Sequence, residues 1–294
     1  IATVAAIPVP IEDARQFGII EVDEDWRIVG FQEKPENPTP LPNDKNMALA
    51  SMGNYIFGAQ DIVSLLKADH ADASSSHDFG KNIIPSLVPS GRLYAYNFYQ
   101  NKIPGQKVQE KPYWRDVGTL KAFFEANMDL RATTPHLDLY NTKWPIYNYH
   151  FSLPPAKFVH NEEVDVHGLP RIGKAINSIV CDGCIVSGST VTNSILFNSV
   201  FVHSYATVHN SILLNDVDIG EHCRIRNAII DKHNIIPPGT TIGYNREEDE
   251  KHYIVTDLGP EYGPDAWLTV IPKDRHYLQL ELPKSLETHD ENPK

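Results

Sequence analysis

The sequence predicts two domains of different build, an α/β domain followed by a parallel β-helix. Three observations carry this. Residues 1–135 mix short apolar strand-like runs with helical patterns. Residues 175–243 repeat themselves at steps of 16, 17 and 17 residues. Between the two, Trp144-Pro145-Ile146-Tyr147 and Leu153-Pro154-Pro155 read as a linker that crosses a surface and packs on it. The expected domains are 1–140, a linker over 141–174, a β-helix over 175–280 and a disordered, charged tail over 281–294.

In the first half, Ala2–Pro8 is a buried strand. Gly18–Val22 and Arg27–Phe31 form a hairpin around the polar turn Asp23-Glu24-Asp25. Ala50–Phe57 and Leu93–Phe98 are further strands. Asp61–Lys67 is a short helix, with Ile62, Leu65 and Leu66 at helical spacing. Phe79–Val88 is a second helix, broken by Pro85 or ending near it. Thr119 caps a third helix through Leu130, whose Leu120, Phe123, Phe124 and Met128 share one face.

In the second half, Asn177-Ser178-Ile179, Asn193-Ser194-Ile195, Asn210-Ser211-Ile212 and Asn227-Ala228-Ile229 keep one frame. A second frame runs from Val186 to Val191, Val202 to Val208, Ile219 to Ile225 and Ile236 to Ile242. Three short strands per coil make a triangular prism of roughly four coils, each burying its aliphatic residues on its neighbours.

The chain has 294 residues and a net charge of −12, which argues against a general nucleic-acid surface and leaves room for a local phosphate site. No apolar run approaches the ~20 residues of a membrane span. Three cysteines in so long a chain fit a reducing, cytoplasmic setting better than a disulfide framework. Cys181-x-x-Cys184 and Cys223 resemble a zinc set on paper. The repeat phase instead puts Cys184 in the slot of Val200 and Val217, and Cys223 in that of Ala206 and Thr240. The chain opens on Ile1 inside an apolar run and is expected to begin mid-protein.

Four stretches carry candidate chemistry. In Phe31-Gln32-Glu33-Lys34-Pro35 a stiff strand exit presents a carboxylate and an ammonium; Pro35 restricts Lys34 to extended or turn geometry. The Lys suits a phosphate and the Glu suits sugar hydroxyls, or the two form a solvated surface pair. Ser51-Met52-Gly53-Asn54-Tyr55 would let a ligand approach the backbone. Asp78, in Ser76-His77-Asp78-Phe79-Gly80-Lys81, either binds a sugar or caps a helix. Asp116, in Tyr113-Trp114-Arg115-Asp116-Val117-Gly118-Thr119, either caps a helix or offers an oxygen to Mg²⁺; Thr119 is better placed to cap. No Gly-rich phosphate cradle and no nucleophile elbow occurs in the sequence.

These motifs, in this order and followed by hexapeptide coils, resemble bacterial glucose-1-phosphate adenylyltransferase from about residue 1 to about residue 275. The resemblance implies a Rossmann-like nucleotidyltransferase domain, here partial, joined to a left-handed parallel β-helix, and assembly as a homotetramer. It implies that ATP and glucose 1-phosphate are the substrates and Mg²⁺ the cofactor, in glycogen synthesis. Lys34 would bind the sugar phosphate, Glu33 and Ser51 the glucose hydroxyls, and Asp78, Trp114 and Tyr55 would line the sugar pocket. Asp116 would ligate Mg²⁺ and, with Lys34, act in catalysis. Lys232 and Lys273 stand where the family binds phosphorylated effectors, although Lys lacks the fork of an Arg. The family's Gly-rich loop, its partner metal Asp and its activator Lys lie upstream of Ile1, so the chain is expected to hold the sugar-phosphate half of the site and to be inactive alone. Rival readings are another sugar-1-phosphate nucleotidyltransferase, a non-catalytic regulatory subunit, and a hexapeptide acyltransferase using His203, His209 or His222.

Overall fold

The computed structural model describes residues 1–106, 111–148, 152–164 and 170–273. The expected tail over 281–294 lies outside them. The chain divides into two compact units. One comprises residues 1–114 and 141–144, the other residues 115–140 and those from 145 onward.

The first unit is built on a five-stranded mixed sheet. Its strands are β1 (Ala2–Pro10), β2 (Gly18–Val22), β3 (Ile28–Glu33), β4 (Met47–Phe57) and β5 (Leu93–Asn97), in the order β3-β2-β4-β1-β5. Only β1 and β5 run parallel; the other described pairs are antiparallel. Alternation is clean on β1, where Ala2, Val4 and Ala6 point into the core with Leu49, Leu93 and Ile84. Pro8 and Pro10 are tolerated inside β1 because pairing with β5 stops at Ala6, which frees their other edge. The β2–β3 turn is fixed by Asp23, whose Oδ1 accepts from the backbone N–H of Asp25 and Arg27 at 3.0 and 2.9 Å.

Two helices differ from expectation. Helix α1 runs over Ala59–Ala71, beyond the 61–67 that the apolar spacing marks. The stretch read as one helix broken at Pro85 is a π-turn, Phe79–Ile83, leading into the short α2, Ile84–Leu87. Pro85 sits in the first turn of α2, where its missing N–H costs nothing.

The second unit is a three-sided parallel prism. One side stacks Lys157–Val164, Ile185–Ser187, Phe201–Val202, Asp218–Ile219 and Ile235–Ile236. A second stacks Lys174–Ile176, Thr190–Thr192, Thr207–His209, Arg224–Arg226 and Thr241–Ile242. The third stacks Ile179–Val180, Ile195–Leu196, Ile212–Leu213 and Ala228–Ile230, and Trp267–Ile271 extends it. The first rung, Lys157–Val164, falls within the stretch read as linker.

Each corner is a column of left-handed residues. Asn177, Asn193, Asn210 and Asn227 have φ of 49, 50, 46 and 49°. Ser199, Asp216 and His233 stand at a second corner, and Gly188, Tyr205, His222 and Gly239 at a third. The serine after each Asn explains the Asn-Ser-Ile repeat. Ser178 Oγ accepts from Ser194 N, Ser194 Oγ from Ser211 N, and Ser211 Oγ from Ala228 N, each at 3.1 Å. The ladder ends where Ala228 replaces Ser. Cys184 and Cys223 are free thiols in the prism's apolar interior with Val186, Val200, Val217 and Ile225, in the slots the repeat phase assigns.

Helix α3 (Leu120–Asp129) is capped by Thr119, whose Oγ1 accepts from Ala122 N at 3.1 Å. It groups with the prism although the expected first domain runs to residue 140. Its Phe124 and Met128 are buried against Ile195, Ile212 and Ile229 of the third side, while Leu120 of the expected apolar face is 38% exposed. A further short helix, α4, spans Arg246–His252. The aromatic stretch between the units is exposed rather than packed: Trp144, Ile146 and Tyr147 are 52%, 55% and 87% accessible. No described helix is long and apolar enough to cross a membrane.

Candidate active site

Most of the expected sugar-site residues gather on the first unit. β4 carries a bulge: Val4 pairs with Tyr55 but Ala6 pairs with Ser51, so extra residues of β4 loop out around Gly53, at φ 72°. Ser51 Oγ accepts from Gly53 N at 3.2 Å and holds the bulge. The distortion lets the Ser51 hydroxyl reach the Tyr55 phenol. Burial pushes the Tyr55 phenol above its ordinary value; the Ser51 hydroxyl pulls it down, and the nearby Glu33 and Asp78 carboxylates raise it. Tyr55 therefore stays a protonated donor throughout the physiological range.

Glu33, at the end of β3, lies between two glycines. A Cβ on Gly18 would meet Glu33 Oε2 at 3.0 Å, and a Cβ on Gly80 would meet the same oxygen at 3.0 Å and Asp78 Oδ1 at 3.3 Å. Glu33 and Asp78 thus approach through a gap that any larger residue would fill. Asp78 takes the capping role of its two readings. Its Oδ1 accepts from Lys81 N at 2.8 Å and caps the π-turn, which leaves Oδ2 for another donor. Phe79 stacks on Tyr55 with ring centroids 5.5 Å apart, supplying an apolar wall that sequence reasoning missed.

Lys34 takes a turn geometry rather than an extended one. Its φ is 47°, in the left-handed region, although Pro35 follows and no glycine is present. Lys34 N donates to Phe17 O at 3.1 Å, and the Phe17 ring packs on Trp114 with centroids 6.1 Å apart. One residue, Phe17, thereby fixes both Lys34 and Trp114. Another left-handed residue is His77, at φ 57°, directly before Asp78. Its loop is tied back to α1: Asp69 Oδ2 lies 2.7 Å from His77 Nδ1, and Asp69 Oδ1 accepts from Ser75 Oγ at 2.5 Å. The Ser75 hydroxyl first, and His77 second, hold the Asp69 carboxyl below its ordinary value.

Asp116 lies in the second unit. It is exposed, and its Oδ1 accepts from Gly118 N at 3.2 Å, a turn contact that leaves Oδ2 open. Thr119 does the capping, as the sequence predicts. A single open carboxylate oxygen fits Mg²⁺, which takes few protein ligands, and among the described residues no three His, Cys, Asp or Glu side chains group for a metal. Lys232 and Lys273 come together: the Asp231 carboxylate accepts from both backbone N–H groups, at 2.7 and 3.2 Å. Asn234 Nδ2 ties the same two segments through Asp231 O and Pro272 O.

The fold is a mixed α/β unit followed by a three-sided parallel prism. Residues 1–133 match the nucleotidyl transferase family, and residues 154–260 match the GlmU-like C-terminal hexapeptide family. Proteins named glucose-1-phosphate adenylyltransferase align along most of the chain. That of Thermus thermophilus is 52% identical over 92% of this chain and 62% of its own length. That of Anaeromyxobacter dehalogenans is 50% identical over 92% and 63%, and that of Deinococcus radiodurans 45% identical over 90% and 63%. Over the residues they share, the chain is similar to these proteins named glucose-1-phosphate adenylyltransferase. It spans about three-fifths of the length of these relatives.

Proposed function

We propose that the chain carries the glucose 1-phosphate half of an enzyme that transfers an adenylyl group from ATP to that sugar phosphate. The products are ADP-glucose and pyrophosphate, for glycogen synthesis. The observation that carries this reading is the meeting of Glu33, Ser51, Tyr55 and Asp78 around one gap, with Lys34 the residue after Glu33. Four oxygens at such a place match the alternating donors and acceptors of a hexose. Glu33 Oε2 and Asp78 Oδ2 accept from glucose hydroxyls, and Tyr55 and Ser51 complete the ring. The Phe79–Tyr55 stack gives the sugar an apolar face. The Lys34 ammonium, on a left-handed backbone tied to Phe17 O, holds the phosphate as a point charge. Trp114 lines the pocket through Phe17.

Such chemistry needs positioning and neutralised charge rather than a protein nucleophile. Asp116 would hold Mg²⁺, which neutralises phosphate charge when bound. Lys232 and Lys273, set side by side by Asp231, would bind a phosphorylated effector. The working protein is a cytoplasmic homotetramer. With no Gly-rich phosphate cradle in its sequence, the chain by itself binds the sugar phosphate and forms no ADP-glucose.

The test is calorimetry with the chain as it stands. Glucose 1-phosphate binds saturably, and glucose or galactose 1-phosphate binds at least about tenfold more weakly, a difference of roughly 1.4 kcal/mol. Equal binding of all three ligands would refute the assignment. Formation of ADP-glucose by the chain alone would refute the division into halves.

A further inference from the structure

The second side of the prism carries an unassigned cationic patch, and the geometry points to an oxyanion site there, built from Arg131, His209 and Arg226, for phosphate or a phosphomonoester. Val191, Val208 and Ile225 point into the prism, so the residues on either side of each point outward. The pairing sets Thr192, His209 and Arg226 on successive rungs of one outward column. Neighbouring rungs lie ~4.8 Å apart, which brings these side chains within reach of one ligand. Arg131, just beyond α3, reaches the same place: its Nη1 lies 3.5 Å from Asn193 Oδ1, the residue after Thr192.

Each group is aimed before any ligand arrives. Arg226 Nε donates to Gly243 O at 3.0 Å, and its guanidinium lies 4.6 Å from the Tyr244 ring centroid and 5.9 Å from that of Trp267. Arg224 shares Tyr244 from 4.3 Å. Arg131 Nε donates to Met128 Sδ at 3.4 Å. Thr192 Oγ1 lies 2.8 Å from His209 Nδ1; when Thr192 donates, His209 Nε2 is left as an N–H donor facing out. Burial first, then Arg226 and Arg131, hold the His209 imidazole below its ordinary value, so it stays neutral at pH 7.

Counter-charge is missing. Arg27, Arg115 and Arg246 each pair with a carboxylate, whereas Arg131, Arg224 and Arg226 form no ion pair among the described residues. Asp249, whose partner Gly243 also accepts from Arg226, is buried and spends Oδ2 on Gly243 N, Trp267 Nε1 and Thr269 Oγ1. In a chain of net charge −12, three arginines gathered without a carboxylate form a local inversion of the field. The remaining N–H donors of two guanidinium groups and a neutral imidazole N–H match the oxygens of a phosphate group and offer nothing to a cation. This site lies on a different side of the prism from the turn that carries Lys232.

The test uses the 294-residue chain and the imidazole resonances of His209, assigned by its loss in His209→Gln. Inorganic phosphate and glycerol 3-phosphate are titrated separately at constant pH and ionic strength. His209 should shift saturably with a dissociation constant on the order of 1 mM. Its midpoint should move about tenfold higher in Arg226→Gln and in Arg131→Gln, each of which removes one charged fork. Arg131 lies outside the prism strands, so Arg131→Gln keeps the test valid if Arg226→Gln misfolds. A response to both ligands identifies the phosphate group as sufficient; a response to glycerol 3-phosphate alone identifies an ester ligand. No saturable shift with either, an unchanged midpoint in Arg131→Gln, or an equal drift of all histidines would overturn the proposal.

Discussion

Left-handed backbone is used in opposite ways by the two units. In the prism it is periodic: Asn177, Asn193, Asn210 and Asn227 form one corner, and the other two corners have their own columns. Each such residue turns the chain onto the next side, and every coil above and below repeats the turn. In the first unit, left-handed Trp26, Lys34 and His77 have no counterpart above or below. Trp26 belongs to the β2–β3 turn, whereas Lys34 and His77 stand next to acidic residues of the candidate site, Glu33 and Asp78 respectively. Repeated strain marks the prism's architecture, whereas solitary strain serves a turn or a site whose surroundings hold it in place.

The largest effect that sharpens this contrast is a cavity in the prism. Ile225 is fully buried in the interior, and Ile225→Ala should lower stability by about 2–5 kcal/mol. Affinity for glucose 1-phosphate should not change, because Glu33, Ser51, Tyr55 and Asp78 belong to the first unit. Denaturant unfolding and calorimetry on one sample check both halves. A parallel loss of sugar binding would show that the two units fail together.

The next effect is pH-dependent and also belongs to the prism. Burial pushes the Cys184 thiol from 9.0 to about 11. The unfolded thiol ionises first, so this stabilisation is complete below pH 9 and is lost as pH climbs towards 11. The loss amounts to about 2–3 kcal/mol. Cys184→Val, which copies Val200 and Val217, should flatten that part of the stability curve between pH 8 and 11. An unchanged alkaline slope would remove Cys184 as its source.

In the first unit the expected effects fall on binding. Lys34→Gln removes the phosphate's point charge and should weaken glucose 1-phosphate by about 1.5–3 kcal/mol, with little change in thermal midpoint. Gly80→Ala places a methyl against Glu33 and Asp78 and should weaken binding by about tenfold. Both would break the comparison if they unfolded the sheet as readily as they weakened binding.

Much of the prism was legible because its physics is repetitive. An aliphatic residue every five or six positions, with Asn and Ser between, leaves little choice but stacked coils, and the same repeat explains Cys184 and Cys223 as core residues. The Ser ladder was hidden only in its hydrogen bonds. The site was legible as a set of residue types and not as geometry. Nothing local announces that β4 bulges between Ser51 and Tyr55, or that Gly18 and Gly80 flank one oxygen of Glu33, since those contacts join segments far apart in sequence. Pre-proline statistics left Lys34 extended or turned, and the left-handed turn it takes is tied to a tertiary partner, Phe17 O. The helical pattern of α3 was right, whereas the surface that buries it, Ile195, Ile212 and Ile229, lies well over sixty residues away.

The smallest expected effect asks what holds His77 left-handed. Two terms compete there. A non-glycine residue at φ 57° is strained, and the Asp69–His77 contact at 2.7 Å, with Ser75 on the other Asp69 oxygen, resists relaxation. His77→Gly removes the strain and the contact together. His77→Asn tolerates the left-handed region and keeps a short amide donor for Asp69. If the tie to Asp69 positions Asp78, His77→Gly should weaken glucose 1-phosphate by about 1 kcal/mol while keeping the melting temperature, and His77→Asn should restore most of that loss. If the left-handed backbone alone suffices, His77→Gly should bind as the parent does. Because the two substitutions share a backbone preference and differ in the side-chain donor, calorimetry on the pair separates a loop that is merely bent from one that is held by its contact with helix α1.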